Sequence, residues 1–279
     1  MTIGASATRA REGRLSSMTG PRHQITRAQA KVWALVAGMT GAATLLAVFV
    51  LAGMQPLDPA WRLPWWVMAP VFWAAEAQVI HFHFRRGAHT FSLNELPLVV
   101  GFFLASPLEL VIAQAIGSAA ALAINRHQPP VKLAFNIGSF ALSSVVGLIV
   151  FRVIGVGPLT DPMRWFAAFT AVSISNLVGV VTVATAISIS EGSLGLRKLR
   201  QMVAVSSVVA ITNTSIALLA VIIIVADSRA VWLLTLPIAT LFLGYRAFIG
   251  AKQQHESLEL LYESTRILQR TPEIGRAHV

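Results

Sequence analysis

Apolar residues run in long blocks along this chain, broken at intervals by short polar or proline-containing stretches. Val32 to Met54 is the first block. Gln55-Pro-Leu-Asp-Pro59 ends it and offers Asp58 as a cap for the next start, and a second block runs from about Leu63 to Phe82. The stretch from Phe91 to Ile124 is apolar almost throughout and too long for one span. As a single helix it would be roughly 50 Å long at about 1.5 Å per residue, against a hydrocarbon core of about 30 Å. Two Ser-x-x-Glu patterns divide it, Ser92-Leu-Asn-Glu95 and Ser106-Pro-Leu-Glu109. Each reads as the reciprocal cap that satisfies free N–H groups at a helix start. Pro107 sits just inside the second start, where its missing N–H costs nothing. A tight hairpin of a third and a fourth helix is therefore expected, meeting at Ser106-Pro107.

The remaining blocks follow in order. Asn125-Arg126-His-Gln-Pro-Pro130 is a turn, and a fifth helix runs from Val131 to about Ile154. Thr160-Asp161-Pro162 caps a sixth that ends near Ser190, Leu196 to about Ala226 is a seventh, and Val231 to about Phe248 an eighth. The chain then continues without glycine or proline from Ala251 to Arg270. Ala251, Gln254, Leu258, Leu261, Thr265 and Leu268 fall on a 3-4 spacing, with Glu256, Glu259, Glu263, Arg266 and Arg270 off that stripe. That is a short heptad seam, expected to pair with a second copy of itself. The plainer account of the same pattern is one amphipathic helix lying on the bilayer or against its own domain. The expected fold class is all-α, a polytopic membrane bundle of about eight spans with a C-terminal helical stalk.

Composition supports the membrane and excludes several functions. The 279 residues are 55% hydrophobic and 12% charged, with mean hydropathy +0.68. No soluble domain needs that much apolar surface. The net charge is +10, but the basic residues gather in the tails and in alternate loops, which suits membrane orientation and not a nucleic-acid footprint. With the N-terminus inside, the cytoplasm receives Arg9, Arg11, Arg14, Arg22, Arg27 and Lys31, then Arg85 and Arg86, Arg126 and Lys132, and the Arg197-Lys198-Arg200 group. The outside keeps only Arg62, Arg152, Arg164 and Arg229. Both termini are expected in the cytoplasm, in a bacterial inner membrane. There is no cysteine, which removes disulfides, thiolate metal sites and thiol catalysis. Residues 1–30 are polar and Arg-rich and read as a disordered cytoplasmic tail, 31–248 as the bundle and 249–272 as the stalk. The last residues, Glu-Ile-Gly-Arg-Ala-His-Val279, match the translation of a common sequencing adapter. Residues 273–279 are expected to be artefact on a chain that naturally continues.

Candidate chemistry is sparse. Glu76 lies inside the second block, and an ionisable group within a bilayer is a functional candidate by default. Reach to Arg85 or a polar neighbour is its plainer role. Glu95 and Glu109, with Ser92 and Ser106, have the structural job of caps. His81 and His83 are two residues apart, not the three or four that puts two ligands on one helix face. They and His89 are expected to be interfacial, and no metal or other cofactor is expected. The fifth to seventh helices share a polar seam of Asn136, Ser139, Ser143 and Ser144, then Ser173, Ser175 and Asn176, then Thr212, Asn213, Thr214 and Ser215. Ser139, Ser143 and Gly147 recur at four-residue spacing, which lets helices approach while hydroxyls and amides bond across. Packing is the default for this seam. The sharper reading is a small polar ligand held by Glu76, Asn136, Asn176 and Asn213. No phosphate loop, HExxH, GxSxG or carboxylate pair with a base is present, so no catalytic residue is assigned.

The segment His89-Thr-Phe-Ser-Leu-Asn-Glu-Leu-Pro-Leu-Val-Val-Gly-Phe-Phe103, with Ala105-Ser-Pro-Leu108 and Val131-Lys-Leu-Ala-Phe-Asn136, resembles the N-terminal membrane module of certain actinobacterial signalling proteins. The exit Gly244-Tyr-Arg-Ala247 and the stalk His255-Glu-Ser-Leu-Glu-Leu-Leu-Tyr-Glu-Ser-Thr-Arg266 resemble their linker. The resemblance covers most of residues 30–273. It implies cytoplasmic output domains beyond the stalk, often a diguanylate cyclase joined to a cyclic-di-GMP phosphodiesterase. The GGDEF and EAL motifs of those enzymes are absent here, so the resemblance carries no catalysis onto this chain. The expected function is a membrane sensor or anchor that relays a bundle state through a dimeric stalk. The alternatives are a small-solute transporter or substrate-binding subunit, and an anchor that senses nothing.

Overall fold

The computed structural model describes residues 20–58, 62–77, 80–84, 87–91, 93–192, 195–235 and 240. Helix α1 (Gly20–Leu46) runs on through a π-helical turn at Ala47–Leu51, and α2 spans Trp65–Ala77. Strand β1 (Ile80–Phe84) then pairs antiparallel with β2 (Gly87–Phe91), in a register from Ile80 against Phe91 to Phe84 against Gly87. After it come α3 (Glu95–Leu104), α4 (Pro107–Ala120, prolonged by a π-helical Ala121–Asn125), α5 (Pro130–Ile154), α6 (Pro162–Glu191) and α7 (Leu196–Ala226). Five segments are long and apolar enough to cross a membrane: Gln29–Leu51, Pro107–Asn125, Pro130–Ile154, Pro162–Ser190 and Leu196–Ala226.

The second apolar block departs from expectation. It is helical only to Ala77, and the residues expected to finish the helix form β1 instead. The pattern explains the change: Ile80, Phe82 and Phe84 alternate with His81 and His83, the period-2 signature of a strand. Apart from this one hairpin the described elements are helical, in agreement with the expected all-α class. The Ser106-Pro107 junction does separate two helices, since α3 ends at Leu104 and α4 starts at Pro107.

The described residues up to Val225 belong to one compact unit, and polar pairings set its helix directions. Arg62 pairs with Glu109 and Trp73 Nε1 donates to Asn125 Oδ1 at 3.0 Å, so α2 and α4 run parallel. Leu63 N donates to the carbonyl of Leu104 at 2.6 Å, which turns α3 against both. Ser139 meets Thr182 at 2.8 Å and Asn176 Nδ2 donates to Ser206 Oγ at 3.0 Å, making α5, α6 and α7 successively antiparallel. The unit therefore has an Arg62 end and an Arg126 end. Helix α3 is its most enclosed element, with Pro97, Leu98, Val99 and Gly101 to Leu104 all buried. Phe102 and Phe103 pack on Phe151 of α5, with ring centroids 5.2 and 4.9 Å apart. A ten-residue helix has little stability of its own, so this burial is what holds it. Around the outside the large side chains are apolar and exposed, among them Phe49, Val153, Phe166 and Val208, the surface expected of a body bathed in lipid.

Asp161 caps α6 as expected, its side chain accepting from Met163 N at 2.7 Å with Pro162 at the first helical position. Asp161→Ala should lower the unfolding free energy by about 1 kcal/mol, measurable as a fall in the thermal midpoint in detergent. An unchanged midpoint would mean that the bond contributes nothing there.

Residues from Ala226 form a second unit, described here as a 3-10 helix at Ser228–Leu234 whose preceding Asp227 accepts from Arg229 N at 2.9 Å. The expected eighth helix begins inside that 3-10 turn. Most of it, together with the stalk residues Leu258, Leu261, Thr265 and Leu268, residues 1–19 and residues 273–279, lies outside the described residues.

Candidate functional site

The polar residues of the bundle converge on its interior. A cavity of about 610 Å³ lies among α3, α4, α5, α6 and α7. Its wall follows the Lys132, Asn136, Ser139 and Ser143 side of α5, the Asn176 and Gly179 side of α6, and Ser206 on α7. Small residues make the room. A Cβ on Gly179 would lie 3.7 Å from Ser143 Oγ, and one on Gly147, a turn deeper, would meet Phe102 at 3.2 Å and Ser175 at 3.3 Å. So α5 and α6 are close at Gly147 and part around the serines. Exposed Lys132 and Lys198 and half-buried Arg126 mark the open end. Beyond Ser144 along α5 lies the sealed Phe102, Phe103 and Phe151 cluster.

Two carboxylates reach this cavity. Glu76, near the end of α2 and buried, pairs with Arg126 Nη2 at 3.0 Å, and the same nitrogen donates to the Glu76 carbonyl at 2.8 Å. Asn94 Nδ2 donates to the other carboxylate oxygen at 2.7 Å and lies 3.4 Å from Ser118 Oγ. This cluster ties the end of α2, the start of α3, and α4 together. Glu95 is the first residue of α3 and accepts from Asn213 Nδ2 at 3.0 Å. Asn213 stands near the middle of α7, so α3 starts deep in the bundle. Among neutral groups, Ser144 donates to Gln114 Oε1, while Ser143 Oγ is buried without a partner. Among the described residues no three His, Asp or Glu side chains gather as a metal site would require. A search with the chain matched no family model, no curated protein and no solved structure.

The expected site residues are therefore dispersed in part. Glu76, Asn136 and Asn176 line the cavity, with Asn136 Nδ2 donating to Gln128 Oε1 at 2.8 Å. Asn213 does not line it and instead holds Glu95. Several seam hydroxyls turn back to their own helix: Ser173 to Phe169, Thr212 to Val208, Thr214 to Ala210 and Ser215 to Ile211.

The cap expected at Ser106 is not made. Ser106 precedes α4 with extended backbone but makes no side-chain cap bond, and Glu109 pairs with Arg62. Glu95 opens α3 rather than sitting three residues inside it, and the residue before it, Asn94, makes no cap bond either. Ser92 lies outside the described residues. Arg126, Asn94 and Gln114 were missed by sequence reasoning. Their signal was present: a basic residue in a short turn, and two amides inside apolar runs.

Proposed function

We propose that the chain is a ligand-sensing membrane module of a bacterial signalling protein, relaying the state of its bundle through a paired C-terminal helix to a cytoplasmic output. One observation carries the reading: a small-molecule-sized polar cavity inside a body whose outer surface is apolar. Pockets of this size suit drug-sized and metabolite-sized ligands. The architecture proposed is eight spans, with α2 and α3 as the short ones, the eighth beginning after Ser228, and both termini in the cytoplasm. The open end of the cavity carries Arg126, Lys132 and Lys198, which the positive-inside rule assigns to the cytoplasm. The solute sensed is then intracellular. The output follows the resemblance to diguanylate cyclase and phosphodiesterase proteins, and the chain is not itself an enzyme. Its other partners are lipid and a second copy of itself, with no nucleic acid.

A second reading, a small-solute transporter, is favoured by the start of α3 deep in the bundle, a broken-helix arrangement that transporters use at substrate sites. Transport needs a route to both ends. The Phe102, Phe103 and Phe151 cluster beyond Ser144 stands in the way, so the sensor is preferred.

The relay has a direct test, since the chain has no cysteine. Leu258→Cys, Leu261→Cys and Leu268→Cys should each give a covalent dimer on mild oxidation in native membranes, because facing Cα atoms within about 7 Å can be bridged. Glu259→Cys, off the stripe, should not. Equal cross-linking from both faces, or none, would sink the paired stalk. Labelling of Gln253→Cys from the extracytoplasmic side would sink the topology.

A further inference from the structure

We infer that the cavity takes a small organic solute carrying a cationic ammonium group, with Glu95 as its counter-ion. The inference rests on the reading of the cavity as a ligand site and adds the charge of what enters it. The two carboxylates are not equivalent. Glu76 already has a guanidinium, Arg126, at 3.0 Å. Glu95 has an amide, Asn213 Nδ2 at 3.0 Å, and its own backbone N–H, and among the described residues no cation faces it. Exposed Lys198 of the cavity mouth does not fill that role. Lys198 lies 15 residues before Asn213 on α7, about 22 Å along the helix at about 1.5 Å per residue.

A carboxylate at bilayer depth is costly, and such groups are kept where they meet a partner or a passing ligand. Here the partners among the described residues are an amide and a backbone N–H, neither of them charged. The space beside Glu95 is about 610 Å³, far more than a bare ion fills, and a calcium or magnesium ion would need six or more oxygens close around it. An organic ammonium needs one carboxylate and room for the rest of the molecule. Ser143 is the polar wall residue left to meet that remainder: it lines the cavity, is 8% exposed, and its buried Oγ has no hydrogen-bond partner in the protein.

The test uses the full chain in detergent and follows its thermal unfolding with ethanolammonium chloride, glycine, glycerol or sodium acetate at matched ionic strength. A saturable rise in midpoint with ethanolammonium or glycine supports the inference, and the stronger of the two tells a simple amine from a zwitterion. Glu95→Gln keeps an acceptor for Asn213 and should weaken that binding by about tenfold or more, the loss of one charge-assisted contact. Glu109→Gln, on the surface pair with Arg62, should bind as wild type does. Undiminished binding in Glu95→Gln overturns the inference. Should that variant fail to fold, the probe series on the wild type decides alone. A rise with glycerol or acetate only overturns the ammonium while leaving the cavity a ligand site. No rise with any probe overturns both.

Discussion

Replacing Arg126 with methionine is expected to cost the bundle about 3–5 kcal/mol, the price of stranding a buried charge. Methionine keeps most of the side-chain volume but removes the cation paired with the Glu76 carboxylate, whose side-chain exposure is 2%, leaving it beside the Asn94 amide and near the carboxyl of Glu95. The reverse change should be milder. Glu76→Gln strands Arg126, but that guanidinium is 22% exposed at the end of the bundle and still donates to the Glu76 carbonyl. Combining the two removes both charges, and the double variant should recover most of what Arg126→Met loses. Unfolding free energies of the three variants and the wild type in one detergent close the cycle. Equal losses for both single variants, or a double variant as unstable as their sum, would show that the pair is not a coupled buried unit. The cluster matters beyond stability, because Asn94 immediately precedes Glu95 and its hold on Glu76 and Ser118 fixes where α3 begins.

Helix boundaries were legible where the apolar run was long and its ends carried proline or an acidic cap. The fifth, sixth and seventh predicted helices agree with α5, α6 and α7 to within about two residues, the ordinary scatter of helix ends. Asp161-Pro162 and the proline pair before Val131 are local signals, and local signals survive folding. The end of α2 was less legible, because Ile80 to Phe84 satisfies a count of apolar residues while its alternation belongs to a strand. The Ser-x-x-Glu patterns misled for a different reason. A reciprocal cap competes with tertiary partners, and Glu109 finds Arg62, 47 residues away, while Glu95 finds Asn213, 118 residues away. A sequence window of four residues contains nothing of either.

The candidate site shows the same division. Polar residues at helical spacing on α5 and α6 announced a shared seam, and Asn136 and Asn176 do share a cavity. Which seam members face that space depends on helix rotation and on neighbours from α3 and α4. Ser173 and Ser175 are two apart on one helix. One bonds the carbonyl of Phe169 and the other lines the cavity. Glu95 was read by its nearest sequence pattern, and its depth became visible only when α3 was seen to start beside the middle of α7.

Adding one methyl group at Gly117 should unsettle the bundle, while the same change at Gly41 should not. Ala113, Gly117 and Ala121 recur every four residues on α4 and its extension, the spacing that brings helices together in lipid. At Gly117 the approach is to α2 itself. A Cβ there would collide with the Ala69 carbonyl oxygen and would lie 2.8 Å from Phe72 Cβ and 2.9 Å from Trp73 N. Two of those three atoms are backbone, which cannot swing aside, so α2 and α4 must separate. Gly117→Ala is therefore expected to lose at least the 1–3 kcal/mol or so typical of overpacking. It should also loosen the hold of Asn94 on Glu76 and on Ser118, since Glu76 rides on α2 and Ser118 follows Gly117. Gly41, on α1, has nothing within 4 Å of a built Cβ. There alanine only removes glycine's backbone freedom and should stabilise by about 0.5–1 kcal/mol. Opposite shifts in unfolding midpoint from one chemical change would locate the α2–α4 contact as a rigid seat of the cavity wall. A neutral Gly117→Ala would show that the two helices can part without cost, and the fixed placement of Glu76 beside the cavity would go with it.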